Sequence, residues 1–124
     1  MTLSFTIRGR LPSMNDAIAA GRANRYWAAK LKRDCEVDIE KQLRPFRLKP
    51  FTEPVRVHFD WYEPNQRRDV DNISAYGKKV ILDALVSCGV LKKDSQRYVK
   101  GTSDEVHVDK DNPRIEVTIE TVDV

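Results

Sequence analysis

RRDVDNISAYGKKVILDALVSCGVLKKD, residues 67–94, is the stretch around which the rest of the chain is organised. Two arginines lead into Asp69-Val70-Asp71, a helical pattern follows, and Asp94 stands just after Lys92 and Lys93. Ile73, Tyr76, Gly77, Val80, Ile81, Ala84 and Leu85 recur at helical spacing and form one apolar stripe. Gly89 stands where a left-handed residue closes a helix, with Val90 behind it to fold back in a Schellman-type stop. Such a helix of roughly 16 residues is about 24 Å long. Asp94 can therefore approach Asp69 and Asp71 only if the chain returns along the helix. Residues at i and i+2 share a face only in extended chain, so Asp69 and Asp71 converge best at the end of a strand. Asp71 or Asn72 is then expected to cap the helix.

Outward from this stretch the pattern alternates between strand and helix. Leu3, Phe5 and Ile7 share one face of an N-terminal strand, and Gly9 to Asp16 reads as a loop through Pro12, Ser13 and Asn15. A helix is expected from about Asn24 to Arg44, with Ala28, Leu31, Cys35, Ile39 and Leu43 inward and Pro45 as its stop. Val55, Val57, Phe59 and Trp61 alternate with Arg56, His58, Asp60 and Tyr62, the clearest strand in the chain. Tyr98 to Val108 and Arg114 to Val122 read as strands around the turn cluster Lys110-Asp111-Asn112-Pro113. The expected architecture is α+β, a single domain over residues 1–124 in the order β-α-β-α-β-β. It has one mixed sheet and two helices.

At 124 residues the chain can bury a real core, yet is small enough to gain from a dimer interface. The apolar fraction of 40% and the charged fraction of 33% place it among globular proteins. No apolar run reaches membrane-spanning length and no signal-peptide pattern opens the chain, so the expectation is cytoplasmic with no membrane partner. Cys35 and Cys88 fall on helical apolar faces without metal-ligand spacing, and a disulfide is not expected. The net charge of +3 is uneven: residues 1–50 carry 11 Lys/Arg against 5 Asp/Glu, residues 101–124 carry 2 against 7. A polyanion partner and an ordinary solvated helix surface both account for this.

Crowded carboxylates are tolerated when solvated or when a cation sits among them. Read as a site, Asp69, Asp71 and Asp94 supply the oxygen ligands that Mg²⁺ prefers, and such an ion activates water and polarises a phosphoryl group. Arg67, Arg68, Lys78, Lys79, Lys92 and Lys93 would hold phosphates. The plain alternative is a capped helix with a salt-bridged surface, Lys79 pairing with Asp83 at i, i+4. His58 and His107 occupy strand positions far apart in sequence and read as surface or half-buried residues. Trp61 reads as core. No glycine-rich phosphate loop is present, so no nucleotide cofactor is expected.

RRDVDN, then an amphipathic helix ending in LDAL, a glycine, and KKDSQ resemble the RusA family of Holliday-junction endonucleases. LPSMN, after the first strand, is similar to that family's P-P-S-x-N loop, and the resemblance spans roughly residues 3–122. It implies a homodimer that nicks four-way DNA junctions with Mg²⁺ or Mn²⁺. The metal-binding and catalytic acids match Asp69, Asp71 and Asp94. Counting back from Asp83-Ala84-Leu85 places the catalytic lysine at Lys79, with Lys78 its neighbouring alternative; counting forward from the acidic pair lands on Ala75. Arg68 matches the basic residue before the pair, and Arg67, Lys78 and Lys93 join it as DNA-binding residues. Lys93 stands where some members carry another acid. Alternatives are a nuclease of other branched DNA and a non-catalytic nucleic-acid-binding module. A receiver-like phosphotransfer domain is disfavoured, because no βα repeat is present to form a doubly wound sheet.

Overall fold

A computed structural model describes residues 1–122. β1 (Thr2–Arg8) leads into α1 (Met14–Ala23) and α2 (Arg25–Leu43), and a short 3₁₀ turn follows at Arg44–Phe46. β2 (Val55–Glu63), α3 (Val70–Ser87), β3 (Val99–Val108) and β4 (Arg114–Thr121) complete the order. The sheet runs β1-β4-β2-β3. β2 pairs in parallel with β3, while β4 is antiparallel to both β1 and β2, so the sheet is mixed. Helix α3 is the crossover that makes β2 and β3 parallel.

The expected two helices are three. Ser13 and Asp16 form a capping box: Ser13 Oγ accepts from the Asp16 backbone N–H at 3.0 Å, and Asp16 Oδ2 accepts from the Ser13 N–H at 2.9 Å. The box starts α1 one residue after Ser13, inside the segment that Pro12 and Asn15 mark as loop. No residue of α1 is fully buried, so no core side chain marks it. Asn24 then adopts extended backbone and separates α1 from α2, its Oδ1 accepting from the Trp27 N–H at 2.9 Å.

The strand alternation sorts the sheet into two faces. Phe5, Ile7, Val55, Val57, Phe59, Trp61, Ile115, Val117 and Ile119 are buried beneath the helices. The interleaved residues, among them His58, Asp60, Tyr62, Glu116 and Thr118, face outward. Ile73, Val80, Ile81, Ala84 and Leu85 seat α3 on the inner face. Gly77 allows the closest approach: a Cβ there would stand 2.9 Å from Trp61 Cζ3 and 3.3 Å from Leu11 Cδ1. The helix ends as a Schellman motif, with Gly89 at φ +78°, its N–H on the Val86 carbonyl, and the Val90 N–H on the Leu85 carbonyl. Cys35 is half-buried and Cys88, at the end of α3, is exposed rather than inward; neither is in a disulfide.

Candidate functional site

The loop between β2 and α3 is held from beneath by a buried carboxylate. Glu63, the last residue of β2, is 4% exposed. Arg10 approaches it at 2.9 Å and Arg68 at 3.4 Å. Arg68 Nη2 also donates to the Leu11 carbonyl at 3.1 Å, while its buried Nε has no partner. Burial pulls the Arg68 guanidinium below the usual arginine value, partly offset by Glu63. Its charge is therefore turned inward, tying the β2–α3 loop to the segment after β1. The side chain has limited reach toward a phosphate in this conformation.

This strut sets Asp69 and Asp71 at the N-terminus of α3. Asp69, rather than Asp71 or Asn72, is the N-cap: its backbone is extended and its carbonyl accepts from the Ile73 N–H at 3.0 Å. Its carboxylate makes no capping hydrogen bond. Asp71 lies in the first helical turn, so the extended geometry holds for one member of the pair only. Asn72 turns back to the segment after β1, its Oδ1 accepting from the Asn15 N–H at 2.9 Å. Asp69, Asp71, Asn72 and Ala75 consequently line one open recess of about 350 Å³ with Met14 and Asn15 of the LPSMN segment. Among the described residues neither aspartate forms an ion pair. The positive end of the helix dipole favours negative charge here, from a carboxylate or a phosphate. A hollow of about 340 Å³ between the ends of α2 and α3, lined by Arg44, Arg47 and Cys88, is a separate feature without carboxylate pairs.

Asp94 does return along α3, but only to its middle. Lys79 Nζ lies 2.8 Å from Asp94 and 3.2 Å from Asp83, and Lys32 of α2 lies 2.9 Å from Asp83. The hydrogen bond from Lys79 holds the Asp94 carboxyl below the usual range. Asp94 and then Asp83 raise Lys79 above the usual lysine value. Two helical turns, about 12 Å of axis, separate Lys79 from Asp71. The three aspartates do not form one cluster with all ligand atoms within 4.8 Å; among the described residues that arrangement occurs at His58, Asp60 and Glu105.

The remaining basic residues divide by face. Lys78 points away from Asp94: it bonds Asp104 at 2.7 Å and stands 5.7 Å over the Phe59 ring. Asp104 in turn accepts from Trp61 Nε1 at 2.9 Å. Arg67 and Lys93 are exposed, and Lys92 lies 6.0 Å over the Tyr98 ring. Glu63, Arg10 and Asp104 went unnoticed as site supports because their partners are distant in sequence. The alternation of β2, which puts Glu63 on the buried face with Trp61, was the available signal for the first.

The sequence matches the family model for endodeoxyribonuclease RusA over residues 11–120. This chain belongs to the RusA family. It is an endodeoxyribonuclease of the Holliday-junction-resolvase type, a hydrolase acting on phosphodiester bonds of branched DNA. No curated protein matches the chain. The RusA match begins at Leu11, so it takes in the LPSMN segment and both elements that line the recess. Among the described residues no helix is long and apolar enough to cross a membrane.

Proposed function

We propose that this RusA protein resolves four-way junctions as a two-fold homodimer, by paired Mg²⁺-dependent nicks, with Asp69 and Asp71 as the principal metal ligands. One observation carries the reading: two carboxylates with no ion pair among the described residues, both at a helix N-terminus and lining one recess walled by Met14 and Asn15. Mg²⁺ keeps several waters and is ordinarily held by one or two carboxylates plus a substrate phosphate, so this pair suits it. Mn²⁺ accepts the same oxygen donors. When bound, the ion supplies a water of lowered pKa and polarises the scissile phosphate.

The chain's own residues supply position and charge. The α3 N-terminus and its free N–H groups receive a phosphate oxygen beside Asp69 and Asp71. Lys79 is held protonated by Asp94 and Asp83, which suits it to offset charge developing in the transition state and unsuits it to act as a base. Lys78 is engaged by Asp104 on the other side of the helix, and this favours Lys79 of the two. Asp94 would add a third carboxylate oxygen only by leaving Lys79 and moving toward the N-terminus of α3. Arg67 and Lys93, exposed on either side, contact the DNA backbone. Arg68 contributes through the Glu63 strut.

Two nicks of like polarity need two equivalent centres, and an isologous dimer relates two copies of Asp69 and Asp71 by its two-fold axis. Exposed Ile18, Tyr26, Trp27 and Val37 along α1 and α2 offer apolar surface for assembly. The outer sheet face is polar and offers less. The test combines sedimentation at micromolar concentration with cleavage of a mobile junction beside matched flaps, forks and linear duplex, with and without Mg²⁺. A dimer that nicks the junction symmetrically and only with a divalent ion is expected. A monomer that cuts flaps or duplex as fast as junctions would overturn the resolvase reading.

A further inference from the structure

The outer face of the sheet, away from α1, α2 and α3, carries a group of side chains that junction cleavage does not use. Parallel pairing of β2 with β3 sets His58 opposite Ser103, Asp60 opposite Glu105 and Tyr62 opposite His107. On the other side of β2, Asp60 stands opposite Glu116 of β4. Three carboxylates therefore lie in one row across β4, β2 and β3, an arrangement that costs energy when like charges face one another directly. Arg114 relieves Glu116 at 3.2 Å. No lysine or arginine pairs with Asp60 or Glu105 among the described residues; their nearby partners are imidazoles.

Those imidazoles converge on the unrelieved carboxylates. His107 Nε2 lies 2.8 Å and His58 Nε2 3.3 Å from the same oxygen, Asp60 Oδ1. His107 Nε2 is also 3.9 Å from Glu105 Oε2. Neighbouring ligand atoms around a tetrahedral Zn²⁺ ion, at about 2.0–2.1 Å from the metal, stand about 3.3 Å apart. The separations here are of that order, and the ligand atoms of His58, Asp60 and Glu105 all lie within 4.8 Å of one another. The His58 ring is also held from behind, as a metal-ligating imidazole usually is. His58 Nδ1 is 2.6 Å from Ser103 Oγ, leaving Nε2 to face Asp60. His107 stacks on Tyr62 with centroids 4.6 Å apart, and Arg114 packs over that same tyrosine at 3.7 Å.

We infer that His58, Asp60 and Glu105, with His107 beside Asp60 completing the set, form a second cation site for a Zn²⁺-class transition ion. Imidazole nitrogen suits Zn²⁺ and its neighbours, whereas the all-oxygen pair Asp69 and Asp71 suits Mg²⁺, so the two sites differ in ligand chemistry. The bound ion neutralises Asp60 and Glu105 and ties β3, an edge of the sheet, to β2. β3 also carries Asp104, which holds Lys78 and Trp61 from the inner side. Occupancy therefore steadies the strand against which α3 is braced.

The test uses the full chain after chelator treatment, titrated with Zn²⁺ and followed by equilibrium dialysis and thermal melting. About one equivalent is expected to bind at micromolar concentration and raise Tm. His58→Ala and His107→Ala should each weaken binding at least tenfold, while an Asp69→Asn/Asp71→Asn double variant keeps it. Retention of that one-equivalent binding in both histidine variants, or its loss in the aspartate double variant, overturns the inference. The chain has only two histidines, so the unsubstituted protein gives a reading free of any folding defect. Zn²⁺ should shift the ring-nitrogen resonances of both His58 and His107 in long-range ¹H–¹⁵N spectra. Unmoved resonances at saturating Zn²⁺ sink the site.

Discussion

Two acidic regions share helix α3, and they are treated oppositely by their surroundings. At its N-terminus Asp69 and Asp71 line one recess and form no ion pair among the described residues. At its middle Asp94 and Asp83 are engaged by Lys79 and Lys32. On the proposed reading, the open carboxylates suit an external cation, while those already bonded to lysine hold that lysine. A D-x-D…D pattern in the sequence weights all three acids equally. The fold separates them into an open pair and a third acid bonded to Lys79.

The largest effect that separates these regions should come from the open pair. Asp71→Asn is expected to lower the nicking rate by more than about a hundredfold, beyond what loss of an outer-shell metal partner ordinarily costs. Junction binding should persist or tighten, because a negative charge facing phosphate is removed. Full activity of this variant at physiological Mg²⁺ would break the comparison at its first term. Lys79→Ala is expected to follow, with a rate loss on the order of tens- to a hundredfold and little change in junction affinity, the pattern of a transition-state contact. Lys78→Ala should cost stability rather than rate, since it empties the contact with Asp104 and Phe59. Single-turnover kinetics beside thermal melts distinguish the two lysines; the reverse pattern would exchange their roles.

Support of the open pair can be probed through stability. Glu63→Gln leaves the largely buried Arg68 guanidinium without its carboxylate and should cost about 3 kcal/mol in denaturant unfolding. Gly77→Ala presses a methyl group against Trp61 and should cost about 1–3 kcal/mol. A neutral Gly77→Ala would mean that α3 can lift from β2 without consequence for the core.

The smallest effect is electrostatic. Asp94 has a folded-state pKa below its unfolded value, so its contribution is present above the unfolded pKa, near 4, and is lost as pH falls through the depressed one. Lys79 is shifted upward, so its share is present below its unfolded pKa and is lost as pH rises through the raised one. Both groups are exposed and screened, and the acid-side effect should be a few tenths of a kcal/mol. Comparing acid unfolding of the parent with Lys79→Ala measures it. An unchanged acid profile would show that the Lys79–Asp94 bond adds nothing to the folded state, and Asp94 would then be as free as Asp69 and Asp71.

Local chain geometry made much of this readable in advance. The alternation from Val55 to Trp61, the stripe from Ile73 to Leu85 and the Gly89 stop depend on residues two to five apart, a scale at which side-chain pattern and backbone conformation are directly linked. The same locality hid α1, whose capping box was present at Ser13 and Asp16 but whose faces are all at least partly solvated. The recess beside Asp69 could be suspected from LPSMN and RRDVDN together, yet it is the Asn15–Asn72 and Arg68–Leu11 bonds of the folded chain that join the two segments. Which lysine faces Asp94, how Glu63 gathers Arg10 and Arg68, and the meeting of His58 and His107 at Asp60 were decided by tertiary structure alone. Each depends on packing of α3 or on the parallel register of β2 and β3. Register is set by the whole buried face at once, and no short stretch of sequence encodes it.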